Sequence, residues 1–186
     1  MEDASEVAIV EREERSEFPE MMFGLVGTYG QVTQNVANVA DMSGSLLGVK
    51  AVFDYELFSG LGVKARLGMD MLSVTGSNGG TDFQTDINYL TLDFFLRYYL
   101  MRSNSFGLFV NLGMGIYSPM STDLGSNAAL QEDSISTTSL LLFGGGIAIP
   151  LGGMEIQLGA DYYYFPPSDD VDTSAIGAKL GLLFGF

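Results

Sequence analysis

The last eleven residues alternate without a break. Ile176, Ala178, Leu180, Leu182, Phe184 and Phe186 fall on one face, and Gly177, Lys179, Gly181, Leu183 and Gly185 fall on the other. A repeat of two is the signature of a β-strand, whose successive side chains point to opposite sides of the sheet. One face here is continuously apolar and the other is mostly small, with a single charge. The chain therefore ends in a strand that lays a greasy face against something and stops on an aromatic residue.

The same alternation predicts seven further strands. The eight segments are 21–31, 45–57, 61–73, 88–100, 105–117, 139–149, 154–164 and 175–186. In the seventh, Met154, Ile156, Leu158, Ala160, Tyr162 and Tyr164 alternate with Glu155, Gln157, Gly159, Asp161 and Tyr163. In the third, Leu61, Val63, Ala65, Leu67, Met69 and Met71 alternate with Gly62, Lys64, Arg66, Gly68, Asp70 and Leu72. Tilted strands of this length span a bilayer. The connections at 58–60, 101–104 and 150–153 are short and rich in turn residues. Those at 32–44, 74–87, 118–138 and 165–174 read as long polar loops. Both chain ends then fall on the short-turn side.

Charge decides which face meets water. Strand positions on the non-apolar face hold Lys50, Asp54, Glu56, Lys64, Arg66, Asp70, Asp93, Arg97, Glu155, Asp161 and Lys179, a sum of −1. The apolar faces hold no charge. The remainder of the net −15 divides between residues 1–20 at −6, the long loops at −9 and Arg102 in a short turn at +1. A soluble sandwich or a ligand-carrying barrel places charge outside and apolar groups inside. Mixed charges near balance fit instead a narrow interior, where each buried ion needs a partner. Hairpin register brings Asp54 near Lys64 or Arg66, Arg66 near Asp93, and Asp161 near Lys179, and Asp54, Lys64, Arg66, Asp93 and Arg97 are expected to form one connected ion-pair network. The first and sixth strands contribute only small, apolar or hydroxyl side chains to that interior. Eight strands leave an interior that side chains can fill.

Aromatic residues on the apolar faces form two groups. Phe53, Tyr55, Phe94, Tyr98, Phe106, Phe184 and Phe186 lie toward the short turns, and Tyr29, Tyr162 and Tyr164 toward the long loops. They suit girdles at the two membrane interfaces, with Tyr in place of the absent Trp.

Residues 21–186 resemble the small eight-stranded outer-membrane β-barrels of the OmpA/OmpX type. The resemblance rests on strand number, the alternation of short turns and long loops, and the terminal Phe. It implies an all-β, up-and-down transmembrane barrel in a bacterial outer membrane, with both termini periplasmic. It covers the barrel without the globular periplasmic domain that often follows one. The tail is similar to the assembly signal of that family at Lys179, Gly181, Phe184 and Phe186, which implies recognition by the barrel-insertion machinery. Outer-membrane lipid is the other expected partner, and a monomer is the expected state.

Several functions lose their usual residues. The chain has no Cys and no His, which removes thiol nucleophiles, thiolate metal sites, the commonest general base and the commonest metal ligand. Strong negative charge disfavours nucleic acid, whose binding rests on phosphate neutralisation. The Leu140–Ile149 run is too short for a membrane helix and is interrupted by three glycines. Met1 precedes Glu2 and Asp3 rather than a basic and apolar leader, so Met1 is expected to be an initiator on a mature sequence.

Residues 1–20 read as an acidic, flexible periplasmic extension, with a short helix from Ser5 as the alternative. Asp169-Asp170-Val171-Asp172 lacks the spacing of a calcium loop and reads as a solvated acidic loop. The loop face offers no basic residues to grip phosphorylated lipid. Either divalent ions bridge it to the membrane surface, or that leaflet is less anionic than usual. No catalytic residue, metal ligand or cofactor is assigned. The expected role is a non-enzymatic barrel with a plugged polar lumen, structural or loop-displaying. The alternative is a narrow ion or small-solute channel gated by lumen salt bridges. A carboxylate-only lipid hydrolase has no nucleophile and base to single out.

Overall fold

The computed structural model describes residues 20–36, 42–78, 81–123, 136–168 and 171–186. Eight antiparallel strands close into one barrel in sequential order. They are β1 (Met21–Val36), β2 (Met42–Phe58), β3 (Leu61–Asn78), β4 (Thr81–Arg102), β5 (Gly107–Asp123), β6 (Thr138–Leu151), β7 (Met154–Ser168) and β8 (Val171–Gly185). Closure joins β8 to β1, from Met22 opposite Gly185 to Val36 opposite Val171, so no strand edge faces lipid along that seam. The amino-terminal extension, apart from Glu20, lies outside the described residues, as do Asp169 and Asp170.

Both ends of the barrel chain lie beside the short turns. Phe186 N–H donates to the Met21 carbonyl at 3.0 Å. Gly60, at φ 84°, makes the β2–β3 turn, and Gly152 and Gly153, at 56° and 90°, make the β6–β7 turn; Pro150 and Leu151, expected in that turn, belong to β6. These positive angles strain any residue with a Cβ. The β4–β5 turn closes through Ser103, whose N–H donates to the Phe106 carbonyl at 2.9 Å.

The face assignment obeys the alternation. Leu67, Met69, Leu158, Leu180 and Leu182 point outward, while Lys50, Asp54, Asp70, Asp93, Arg97 and Asp161 are buried inside. On β3 the outward apolar run from Leu61 to Met71 is about 25 Å tall at a rise of about 3.3 Å per residue and a tilt of about 40°. That matches the hydrocarbon band of a barrel membrane protein.

The strands are longer than the sequence pattern predicts. β3 and β4 pair as far as Asn78 opposite Thr81, and β7 and β8 as far as Ser168 opposite Val171. Much of what reads as loop at 32–44, 74–87, 118–138 and 165–174 is therefore strand, and Asp82, Asp86, Asp123 and Asp172 lie on strands. The cause is an inversion of polarity along the same strands. Above the apolar band, inward positions become apolar: Val32, Met42, Leu46, Val74, Tyr89 and Ala175 form a buried cluster with Tyr117, Leu140, Leu142 and Tyr163. Outward positions become polar, and Ser174, Thr33, Ser43, Thr75 and Gln84 succeed one another across β8, β1, β2, β3 and β4. The period persists while its sign reverses. The molecule is thus a membrane barrel below and a barrel of soluble type above, with a hydrophobic core in its upper bore.

Candidate functional site

The charged side chains enter the lumen from β2, β3, β4, β7 and β8, because the phase that sends leucines to lipid sends the intervening residues inward. Nearest the short turns, Arg102 holds Glu56 in a fork, Nη1 to Oε1 at 2.9 Å and Nη2 to Oε2 at 2.5 Å. The sequence pattern hides this pair, since Arg102 reads as a turn residue. The β4–β5 register shifts between Tyr99 and Met101, and this bulge leaves Leu100 and Met101 both exposed to the outside while Arg102 returns inward. With Arg102 counted, the inward-facing charges balance at six of each sign.

Next along the bore, Asp54 receives Arg97 at 2.5 Å and Lys64 at 3.2 Å. Lys64 also donates to Gln157 Oε1 at 2.8 Å, Gln157 donates to Glu155 at 2.5 Å, and Tyr99 O–H donates to Glu155 at 3.1 Å. The second cluster begins above. Arg66 Nε donates to Asp93 at 3.1 Å and Arg66 Nη1 donates to Asp161 at 2.6 Å. Lys179 also pairs with Asp161. Lys50 Nζ lies 2.8 Å from both Asp70 and Asp93 and donates to the Tyr117 hydroxyl at 2.9 Å.

The ion pairs thus form two clusters, and the expected single network of Asp54, Lys64, Arg66, Asp93 and Arg97 is divided between them. Asp54, Lys64 and Arg97 belong to the lower cluster, Arg66 and Asp93 to the upper. Phe109 stands between, with Lys64 Nζ 5.0 Å and Lys179 Nζ 5.5 Å from its ring centroid. An aromatic ring can face two ammonium groups favourably but breaks the chain of hydrogen bonds.

Three of the four central aspartates share a device that alternation does not reveal. Asp70 sits opposite Gly48, Asp93 opposite Gly115 and Asp161 opposite Gly144. A methyl group at Gly48 or Gly144 would overlap the neighbouring carboxylate. The glycines are the space into which the carboxylates lean to reach cations on other strands. Only the register identifies them.

The aromatic positions Tyr29, Phe53, Tyr55, Phe94, Tyr98, Phe106, Tyr162 and Tyr164 all lie exposed on the outer wall, and Phe23 and Phe58 join them near the short turns. In the tail, Lys179 and Gly181 face the lumen, whereas Phe184 and Phe186 face outward. Among the described residues, no three or more acidic side chains gather to hold a metal ion.

A closed eight-stranded sheet with an apolar outer band and an ion-paired interior defines a transmembrane β-barrel of the bacterial outer membrane. The chain belongs to the outer membrane protein beta-barrel domain family, whose model matches residues 13–184. Solved structures share its fold, among them the two that follow. OprG from Pseudomonas aeruginosa is 18% identical, with a TM-score of 0.57 over 92% of this chain and 100% of that one. Neisserial surface protein A is 13% identical, with a TM-score of 0.55 over 88% of this chain and 97% of that one. No curated protein sequence matches the chain significantly.

Proposed function

We propose that the protein is a sealed, non-enzymatic barrel that serves a structural or surface-display role, with both termini periplasmic and the long connections outside. One observation carries this reading. Side chains with almost no accessible surface occur at three heights of the bore: Arg97, Asp54 and Glu155 below, Phe109 and Asp161 at mid-height, Leu142 and Tyr163 above. Two unlike seals act in series. An ion crossing the lower bore must break buried pairs, which is costly because each leaves an uncompensated charge. An ion crossing the upper bore must enter a largely apolar core that offers it few oxygen ligands beyond tyrosine hydroxyls.

The outward Phe184 and Phe186, with Lys179 and Gly181, serve assembly in this reading, and the outer aromatics hold the barrel at the two interfaces. Single-channel recording in planar bilayers tests it. The expected result is no steady conductance; large, persistent currents from the purified monomer would refute the seal and favour a narrow ion channel.

A further inference from the structure

The outer wall above the apolar band carries polar and acidic side chains and no cation. All six Lys and Arg residues of 21–186 point into the lumen, so the outer surface of the barrel carries no cation at either membrane interface. At the height where lipid headgroups begin, the wall instead presents hydroxyls, amides and carboxylates. One row runs through directly paired residues across five strands: Gln31, Ser45, Ser73, Asp86 and Asp123. It lies immediately above the outward apolar residues Tyr29, Leu47 and Met71. Polar side chains beside the row on β4 and β5 are joined by hydrogen bonds. Gln84 Nε2 donates to both Asp86 oxygens at 3.2 and 3.0 Å, and Asn88 Nδ2 donates to Ser121 Oγ at 2.8 Å.

We propose that this collar is a docking surface for an outer-leaflet glycolipid whose headgroup consists of uncharged sugars. Three features fit that partner. Sugar hydroxyls both donate and accept, as do serine, threonine and the amides, while carboxylates accept from them. Phosphorylated headgroups call for cations, and the collar offers none, with the carboxylate of Asp86 in the row instead. The exposed Tyr29 at the lower edge supplies an amphipathic ring where acyl chain meets headgroup. A lipid is the source because the collar continues the lipid-facing wall. The proposal is independent of whether the lumen conducts.

The test compares the urea midpoint of the refolded full chain in four symmetric vesicles, where both leaflets present the headgroup whichever way the barrel inserts. These are phosphatidylcholine alone, the same with a neutral diglycosyl diacylglycerol, the same with lipid A in EDTA, and the same with lipid A and magnesium. The expected result is a higher midpoint with the neutral glycolipid and no rise with lipid A in EDTA. Ser45→Ala with Ser73→Ala should shrink the glycolipid shift. Ser45→Arg with Ser73→Arg should create a lipid A shift absent from the parent. Stabilisation by lipid A in EDTA equal to that by the glycolipid would overturn the proposal. So would stabilisation by lipid A only with magnesium, which would point to metal bridging, and so would the same midpoint in all four.

Discussion

Replacing Arg66 by Ala should destabilise the barrel by about 3–5 kcal/mol, the cost of breaking a buried ion pair from one side. The guanidinium is almost wholly buried and contacts two carboxylates on two other strands, Asp93 at 3.0–3.1 Å and Asp161 at 2.6 Å. It also lies 4.3 Å from the Phe95 ring centroid. Neither carboxylate is left alone, since Lys50 remains on Asp93 and Lys179 on Asp161. That places the loss toward the lower end of the range. Arg66→Lys should fall between, because an ammonium keeps the charge but not the fork that spans both acids. Arg102→Ala is the control. Its pair with Glu56 sits at the mouth, with side chains 19% and 12% exposed, so about 1 kcal/mol is expected despite the two-point geometry. The assay is urea unfolding in vesicles, followed by gel mobility without boiling and by far-ultraviolet circular dichroism. Conductance in planar bilayers should stay at the wild-type level, because the ion pairs of Asp54 below and the apolar core above both remain. A loss within about 0.5 kcal/mol of wild type, the range of an ordinary surface substitution, would refute the account of the upper cluster.

Leu67→Arg and Leu158→Arg, both on the outer wall, should each cost roughly 2–4 kcal/mol near the bilayer midplane, measured by the same titration. Gly144→Val should cost about 1–3 kcal/mol by overpacking, because its side chain needs the space of the Asp161 carboxylate; an unchanged midpoint would show that the aspartate has other room. Deleting Phe186 should lower the yield in outer membranes while refolding in detergent still succeeds, since it removes one terminal backbone bond and an outward ring; equal yield in cells would remove the assembly role.

The strand count, the closing order and the facing of the charged residues within the apolar band, from Lys50 to Lys179, were legible because period two is local and a charge cannot lie in lipid; Arg102 and the upper aspartates were not. Individual partners were legible only where hairpin register forces them, as between Arg66 and Asp93. Pairs that cross the bore, such as Arg66 with Asp161, depend on how the sheet closes on itself, which no local window contains. Arg102 was lost to a bulge, since one extra residue reverses the facing of every later position on the strand. The upper halves of the strands were lost for a different reason. Thr33, Ser43, Thr75 and Gln84 look like loop residues to any test that equates the outer face with apolar side chains.

The reversal of polarity between the lower and upper barrel has a consequence for position. Sinking by one pair of residues would carry the row of Gln31, Ser45 and Ser73 into hydrocarbon, and rising by as much would lift Tyr29, Leu47 and Met71 into water. Both displacements are opposed, so the membrane level is written into the wall as a single line where two opposite preferences meet. Most spanning segments can tilt or slide to suit bilayers of different thickness at modest cost. Here the upper boundary is pinned, and a thinner or thicker membrane must be accommodated at the short-turn end.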